Sequence, residues 1–80
     1  MNTLKVVKTN EGIEYRCPKC NLVLAIKPKR NKEIYFVGVC QHFTIKYLML
    51  REYMQLVNEG KVALAQIIPN TNIFITIVLK

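Results

Sequence analysis

Four side chains in this sequence can hold a metal ion, and they come in two short clusters. Cys17-Pro18-Lys19-Cys20 carries two thiols, and Cys40-Gln41-His42 carries the third cysteine together with the only histidine. Thiolate and imidazole are the donors of a tetrahedral zinc site, and a two-residue gap lets both sulfurs of a tight turn grip one ion. Pro18 pre-sets φ for that turn. Nineteen residues separate Cys20 from Cys40, enough for an out-and-back hairpin that returns the second pair to the first. Three cysteines cannot all pair in one chain, which favours metal over disulfides. If Cys17, Cys20, Cys40 and His42 all bind, no position is left for water, so one structural zinc ion per chain is expected. The competing reading is three ordinary buried cysteines and a surface histidine. His42 is the weakest member of the set, because a one-residue gap makes a tighter pair than a knuckle and a histidine at a helix start can instead cap or face solvent.

Nothing else supplies catalytic chemistry. Five glutamates are scattered, aspartate is absent, and the single histidine is spent on the metal. A Cys40–His42 nucleophilic pair would orphan Cys17 and Cys20. The chain is therefore not expected to be an enzyme.

The elements that must position these ligands follow from the patterning. Leu4 to Lys8 and Ile13 to Cys17 read as strands around Asn10-Glu11-Gly12, whose Asn and Gly tolerate the positive φ of tight hairpins. Ile13, Tyr15 and Cys17 share one face, with Glu14 and Arg16 on the other. Leu22 to Ile26 and Ile34 to Val39 read as two further strands. Between them a polar tip, 27–32, carries Lys27, Lys29, Arg30 and Lys32.

From Phe43 or Thr44 to Asn58 a helix is expected, with Ile45, Met49, Tyr53 and Leu56 at three-to-four-residue spacing and Gly60 as its stop. Tyr47, Leu50, Met54 and Val57 widen its apolar arc to roughly 200°, beyond the ~100° of a helix on one surface, so it should pack against more than one layer. Lys46 lies inside that arc and would snorkel to water. Val62 to Ile68 and Ile73 to Leu79 read as a second hairpin around Pro69-Asn70-Thr71-Asn72, although Ala63, Leu64, Ala65 and Gln66 would also suit a helix continuing past Gly60. Both faces of Ile73 to Leu79 are largely apolar, which requires a central position in a sheet or cover from a partner chain.

The expectation is an α+β domain spanning 1–80: a zinc-bound β-hairpin unit over 1–43, one helix over 44–59 and a C-terminal β-hairpin over 61–80. Eighty residues cannot bury a large core, so the metal would contribute directly to folding.

Charge points to a partner. Twelve Lys and Arg against five acids give a net charge of +7, and a polyanion is its natural counterpart. The candidate nucleic-acid-binding residues are Lys27, Lys29, Arg30 and Lys32 of the tip, with Lys19 on the knuckle and Arg16 on its strand; a lysine-rich solvated turn is the plain alternative. Tyr35 or Phe36 beside the tip would offer a ring for base stacking. A second class of function is a protein-interaction module, with a homodimer formed through the helix and the Ile73 to Leu79 strand. Lys5 and Lys8 interrupt the apolar residues of the N-terminus, and neither apolar run near the C-terminus is long enough to span a bilayer, so an intracellular protein with no membrane partner is expected.

Cys-x-x-Cys at a strand end, a hairpin and a second ligand pair resemble a zinc ribbon. Cys40-Gln41-His42 leading into Phe43-Thr44-Ile45-Lys46-Tyr47-Leu48 is also similar to the SWIM-type zinc finger, whose pattern ends in Cys-x-His before a helix. That family opens on Cys-x-Cys, where this chain has Cys17-Pro18-Lys19-Cys20. The resemblance covers about Ile13 to Val57. It implies binding of DNA or of proteins and does not imply an enzyme. With the charge and the filled ligand set, the expectation is a nucleic-acid-binding module, for DNA more than RNA, in transcription or its regulation, with zinc in a structural role.

Overall fold

The computed structural model describes residues 3–80 and has an α+β architecture of two antiparallel sheets and one helix. The first sheet runs in order β1 (Lys5–Thr9), β2 (Gly12–Arg16), β3 (Val23–Pro28) and β4 (Tyr35–Phe36). Its first turn is built as Asn10-Glu11-Gly12 suggests, with Thr9 paired to Gly12 at the close of the hairpin. Gly12 adopts φ +152, and a β-carbon there would collide with the Lys27 carbonyl oxygen, so glycine is required where β2 meets β3. The Lys29 N–H donates to the Glu11 carbonyl (3.0 Å), tying the tip after β3 to the first turn.

The strand expected over Ile34 to Val39 contracts to Tyr35–Phe36. Past it, the N–H groups of Val37 and Gly38 both reach the Leu24 carbonyl (2.9 and 3.4 Å), and the chain leaves the sheet to deliver the second ligand pair.

The helix expected over 44–59 is half strand. Phe43–Met49 forms β5, and only Leu50–Asn58 is helical, as α1. Residues 43–49 satisfy two periodicities at once. Phe43, Ile45, Tyr47 and Met49 alternate, and they pair with Leu79, Ile77, Ile75 and Ile73 of β7 (Ile73–Leu79). Thr44, Ile45 and Tyr47 are β-branched or aromatic, which suits a pleated surface, and a strand thirty residues downstream supplies the partner that local periodicity could not reveal. Lys46 accordingly stands exposed on a strand, its carbonyl accepting the Thr76 hydroxyl (2.9 Å). At Leu50 the helix begins, with the Glu52 carboxylate reaching back to the Met49 N–H (3.4 Å). It ends as expected at Gly60, where φ +71 lets the Gly60 and Lys61 N–H groups close on the carbonyls of Val57 and Leu56.

Val62–Ile67 is β6, so the hairpin reading of this segment holds over the helical one. The second sheet is ordered β5-β7-β6, which makes β7 central. Its two apolar faces are thereby explained. Ile77 joins the core formed with Leu4, Cys17, Leu24, Ala25, Cys40 and Phe43, on which Tyr15, Phe36, Ile45, Leu64 and Leu79 also pack. On the opposite face Phe74 stacks on Tyr53 of α1, ring centres 4.3 Å apart and planes 6° from parallel. The two sheets are further joined by the Ile34 N–H donating to Gln66 Oε1 (2.8 Å). Contrary to the two-layer expectation, α1 buries none of its residues fully and rests on this one sheet face. No helix is long and apolar enough to cross a membrane among the described residues.

Candidate metal centre

The fold brings Cys17, Cys20, Cys40 and His42 together, with one donor atom of each lying within 4.8 Å of all the others. Cys17 follows the last residue of β2, and its N–H donates to the Leu22 carbonyl (2.9 Å) while its own carbonyl accepts from the Asn21 N–H (2.9 Å). That reversal needs Asn21 at φ +63, a left-handed conformation that asparagine tolerates better than most residues. Asn21 is a structural residue of the knuckle that the ligand spacing alone does not single out. The second pair arrives between β4 and β5, where the Cys40 N–H donates to the Phe43 carbonyl (3.1 Å) and the His42 N–H points at Cys40 Sγ (3.3 Å). His42 therefore stands before a strand instead of at a helix start.

The geometry fits a metal. Bonds of about 2.3 Å to sulfur and about 2.0 Å to nitrogen at a tetrahedral angle place the two donors roughly 3.5 Å apart. Cys17 Sγ and His42 Nδ1 are separated by 3.6 Å. The imidazole thus offers Nδ1 to the cluster. Cys17 and Cys40 are buried and Cys20 is exposed, so the site is anchored in the core on one side and open on the other.

The thiols respond to this setting in opposite ways. Burial pushes the Cys17 thiol up, but the backbone N–H groups of Cys20 and Lys19, with the Cys20 and Cys40 thiols, outweigh it and bring the pKa from 9.0 to about 6. The Leu22 backbone N–H favours the Cys20 thiolate, yet desolvation and the neighbouring Cys17 and Cys40 sulfurs leave that thiol raised. One thiolate is pre-formed at neutral pH, and its negative charge opposes a second until a cation is bound. The four residues can hold one metal ion.

The six candidate nucleic-acid contacts divide between the two ends of the first sheet. Lys27, Lys29, Arg30 and Lys32 line one groove of about 690 Å³ at the end away from the knuckle, with Thr9, Gly12, Ile13, Pro28 and Asn31. The structure adds Lys8 to them. Register explains this addition, because Lys8 pairs with Ile13 and Ile13 with Lys27, making one cross-strand row with both lysines beside the isoleucine. The hairpin turn that follows Lys8 was the available sequence signal. No carboxylate lines the groove.

Arg16 and Lys19 do not reach it. The Arg16 guanidinium is held by Glu14 Oε1 through Nε (3.0 Å) and Nη2 (2.6 Å). Lys19 lies at the knuckle end of β2, beside a smaller cleft shared with His42 and Lys80. Tyr35 is half exposed, its hydroxyl accepting from Asn31 Nδ2 (2.7 Å), whereas Phe36 packs against the core.

No protein-family model matches the chain, and neither the curated proteins nor the solved structures contain a match to it.

Proposed function

We propose that this chain is a zinc-stabilised domain that binds nucleic acid through the groove at the tip end of its first sheet. Three thiolates and an imidazole form a donor set that favours zinc, and four protein ligands leave no place for a reacting water, so the ion serves the fold and not catalysis. In a chain of 80 residues that ion joins the knuckle to the strand entering the second sheet, fixing one sheet on the other.

The observation that carries the nucleic-acid reading is the groove itself, whose lining holds five cationic side chains together with the apolar Ile13 and Pro28 and no acid. Lysine and arginine there would displace condensed counterions from phosphates, and the apolar Ile13 and Pro28 in the lining suit contact with an unstacked base. A concave site of this kind favours a single strand, whose nucleotides can enter one by one, over the convex backbone of a duplex. A part in transcription or its regulation is consistent with such a module.

Fluorescence anisotropy with single-stranded DNA, single-stranded RNA and duplex DNA, across a salt series, tests the reading. Salt-sensitive binding is expected, tightest for single strands. Absence of binding to all three at low salt refutes the function. Native mass spectrometry should find one zinc per chain, and chelation should abolish the fold.

A further inference from the structure

The molecule is more open than its mass requires. A monomer of 9.3 kDa is expected to expose about 5000 Å², whereas this chain exposes 5741 Å². The excess, about 750 Å², is close to the ~800 Å² that each partner hides in a standard protein interface.

Exposed apolar side chains are concentrated where β5 passes into α1. Tyr47, Met49, Leu50, Met54 and Val57 are exposed by 66, 59, 53, 55 and 44 %. Leu50, Met54 and Val57 recur on one flank of α1, beside the Tyr53 and Leu56 side that meets the sheet. By register Tyr47 and Met49 share the sheet face of Ile75 and Ile73, opposite the face on which α1 rests. The exposed residues therefore flank the β5 edge on both faces, more large apolar surface than a folded monomer usually leaves in water.

The backbone beside them also lacks a partner. The Lys80 N–H donates to the His42 carbonyl (3.0 Å), so even-numbered residues of β5 turn their polar groups to β7 and odd-numbered ones turn theirs outward. At the strand ends the outward groups are used, by Cys40 on the Phe43 carbonyl and by Glu52 on the Met49 N–H. Ile45 and Tyr47, in the middle, face outward along an edge to which no strand is paired among the described residues. The other edge, β6, is interrupted by a bulge between Val62 and Leu64, a device that discourages pairing. β5 has no bulge, no proline and one charge, Lys46.

We propose that a second copy of this chain occupies this surface. Two β5 edges pair antiparallel, joining the three-stranded sheets into one of six strands, while the Tyr47, Met49, Leu50, Met54 and Val57 side chains are buried between the copies. A two-fold contact of this type is self-complementary and closes at two subunits. Charge selects the same occupant. The chain carries +7, but residues 43–58 of β5 and α1 hold only Lys46, Arg51 and Glu52, a net charge of +1, so copies meet here with less repulsion than most other approaches would bring.

Analytical ultracentrifugation of the zinc-loaded chain at tens of micromolar tests this. The expected species has twice the chain mass of 9.3 kDa. Tyr47→Lys and Met54→Glu, both exposed in the single chain, should each raise the dimer dissociation constant about thirtyfold or more, the range of an interface hot spot. Val6→Lys, at a similarly exposed residue on β1, should leave it unchanged. Amide exchange at Ile45 and Tyr47 should slow as protein concentration rises, a readout that needs no variant. A wild-type monomer at these concentrations overturns the proposal. So does a dimer indifferent to both Tyr47→Lys and Met54→Glu, or self-association that grows without closing. None of these outcomes bears on binding in the basic groove, which is judged by its own titrations.

Discussion

Replacing Lys8 and Lys19 separately, each by glutamine, sets the groove against bulk charge. Both residues are exposed lysines, and each exchange changes the net charge of +7 by the same single unit. They differ only in place, since Lys8 lines the groove beside Ile13 and Lys19 sits at the knuckle end of the same sheet. If the groove's five cations each neutralise one phosphate of a single strand, the logarithm of affinity should fall with the logarithm of salt with slope about −3.5. Removing the Lys8 contact should reduce that slope to about −2.8, and near about 0.1 M salt it should weaken binding roughly fivefold. Lys19→Gln should leave slope and affinity close to wild type. Anisotropy titrations with a labelled single-stranded oligonucleotide at several salt concentrations measure both quantities, and metal content confirms that each variant is folded. Equal losses for the two variants would show that net charge, and not this groove, governs binding. An unchanged slope for Lys8→Gln would refute its place in the site.

Other perturbations probe the fold and the metal. Leu24 is fully buried between the sheets, so Leu24→Ala should lower the unfolding free energy of the zinc-loaded protein by about 2–5 kcal/mol in urea titrations; a loss within the range of a surface mutation would contradict the core assignment. Gly12→Ala places a β-carbon against the Lys27 carbonyl at φ +152 and should cost about 1–3 kcal/mol in the same assay, whereas a neutral result would show that the β2–β3 junction has room. The Cys17 thiol is lowered from 9.0 to about 6, so between these values the unfolded chain binds the extra proton and stability rises with pH. The thiolate's contribution is complete above 9.0 and is lost as pH falls through about 6. Because the ion takes the thiolate form, zinc affinity measured by competition with a chromophoric chelator should weaken as pH falls across this window, and an affinity flat throughout would contradict the assignment.

Much of the site was legible in the residues themselves. A thiol has few roles, so three cysteines and one histidine in two tight pairs limit the chemistry before any fold is known, and the structure places all four together. The two hairpin turns and the Gly60 stop were legible for a similar reason, because positive φ is tolerated by few side chains. The doubly apolar run Ile73–Leu79 demanded cover, and its central place in the second sheet provides it. Its backbone consequently offers no free edge, which moves the candidate self-association surface from β7 to β5.

Local pattern could not decide what depends on distant partners. Phe43–Met49 fits helical spacing and alternation alike, and β7 resolved the choice by offering Ile73, Ile75, Ile77 and Leu79 in matching register. The basic residues show the same limit. In the sequence Arg16 and Lys19 stand next to the knuckle as part of one basic set, but the Glu14 ion pair and the length of β2 remove them from the groove, while Lys8 enters it across the first hairpin. Residue chemistry determined by itself that a metal could be held and where turns must fall. Which strands pair, and therefore which charges share one surface, was decided only by tertiary structure, because register joins residues that the chain keeps apart.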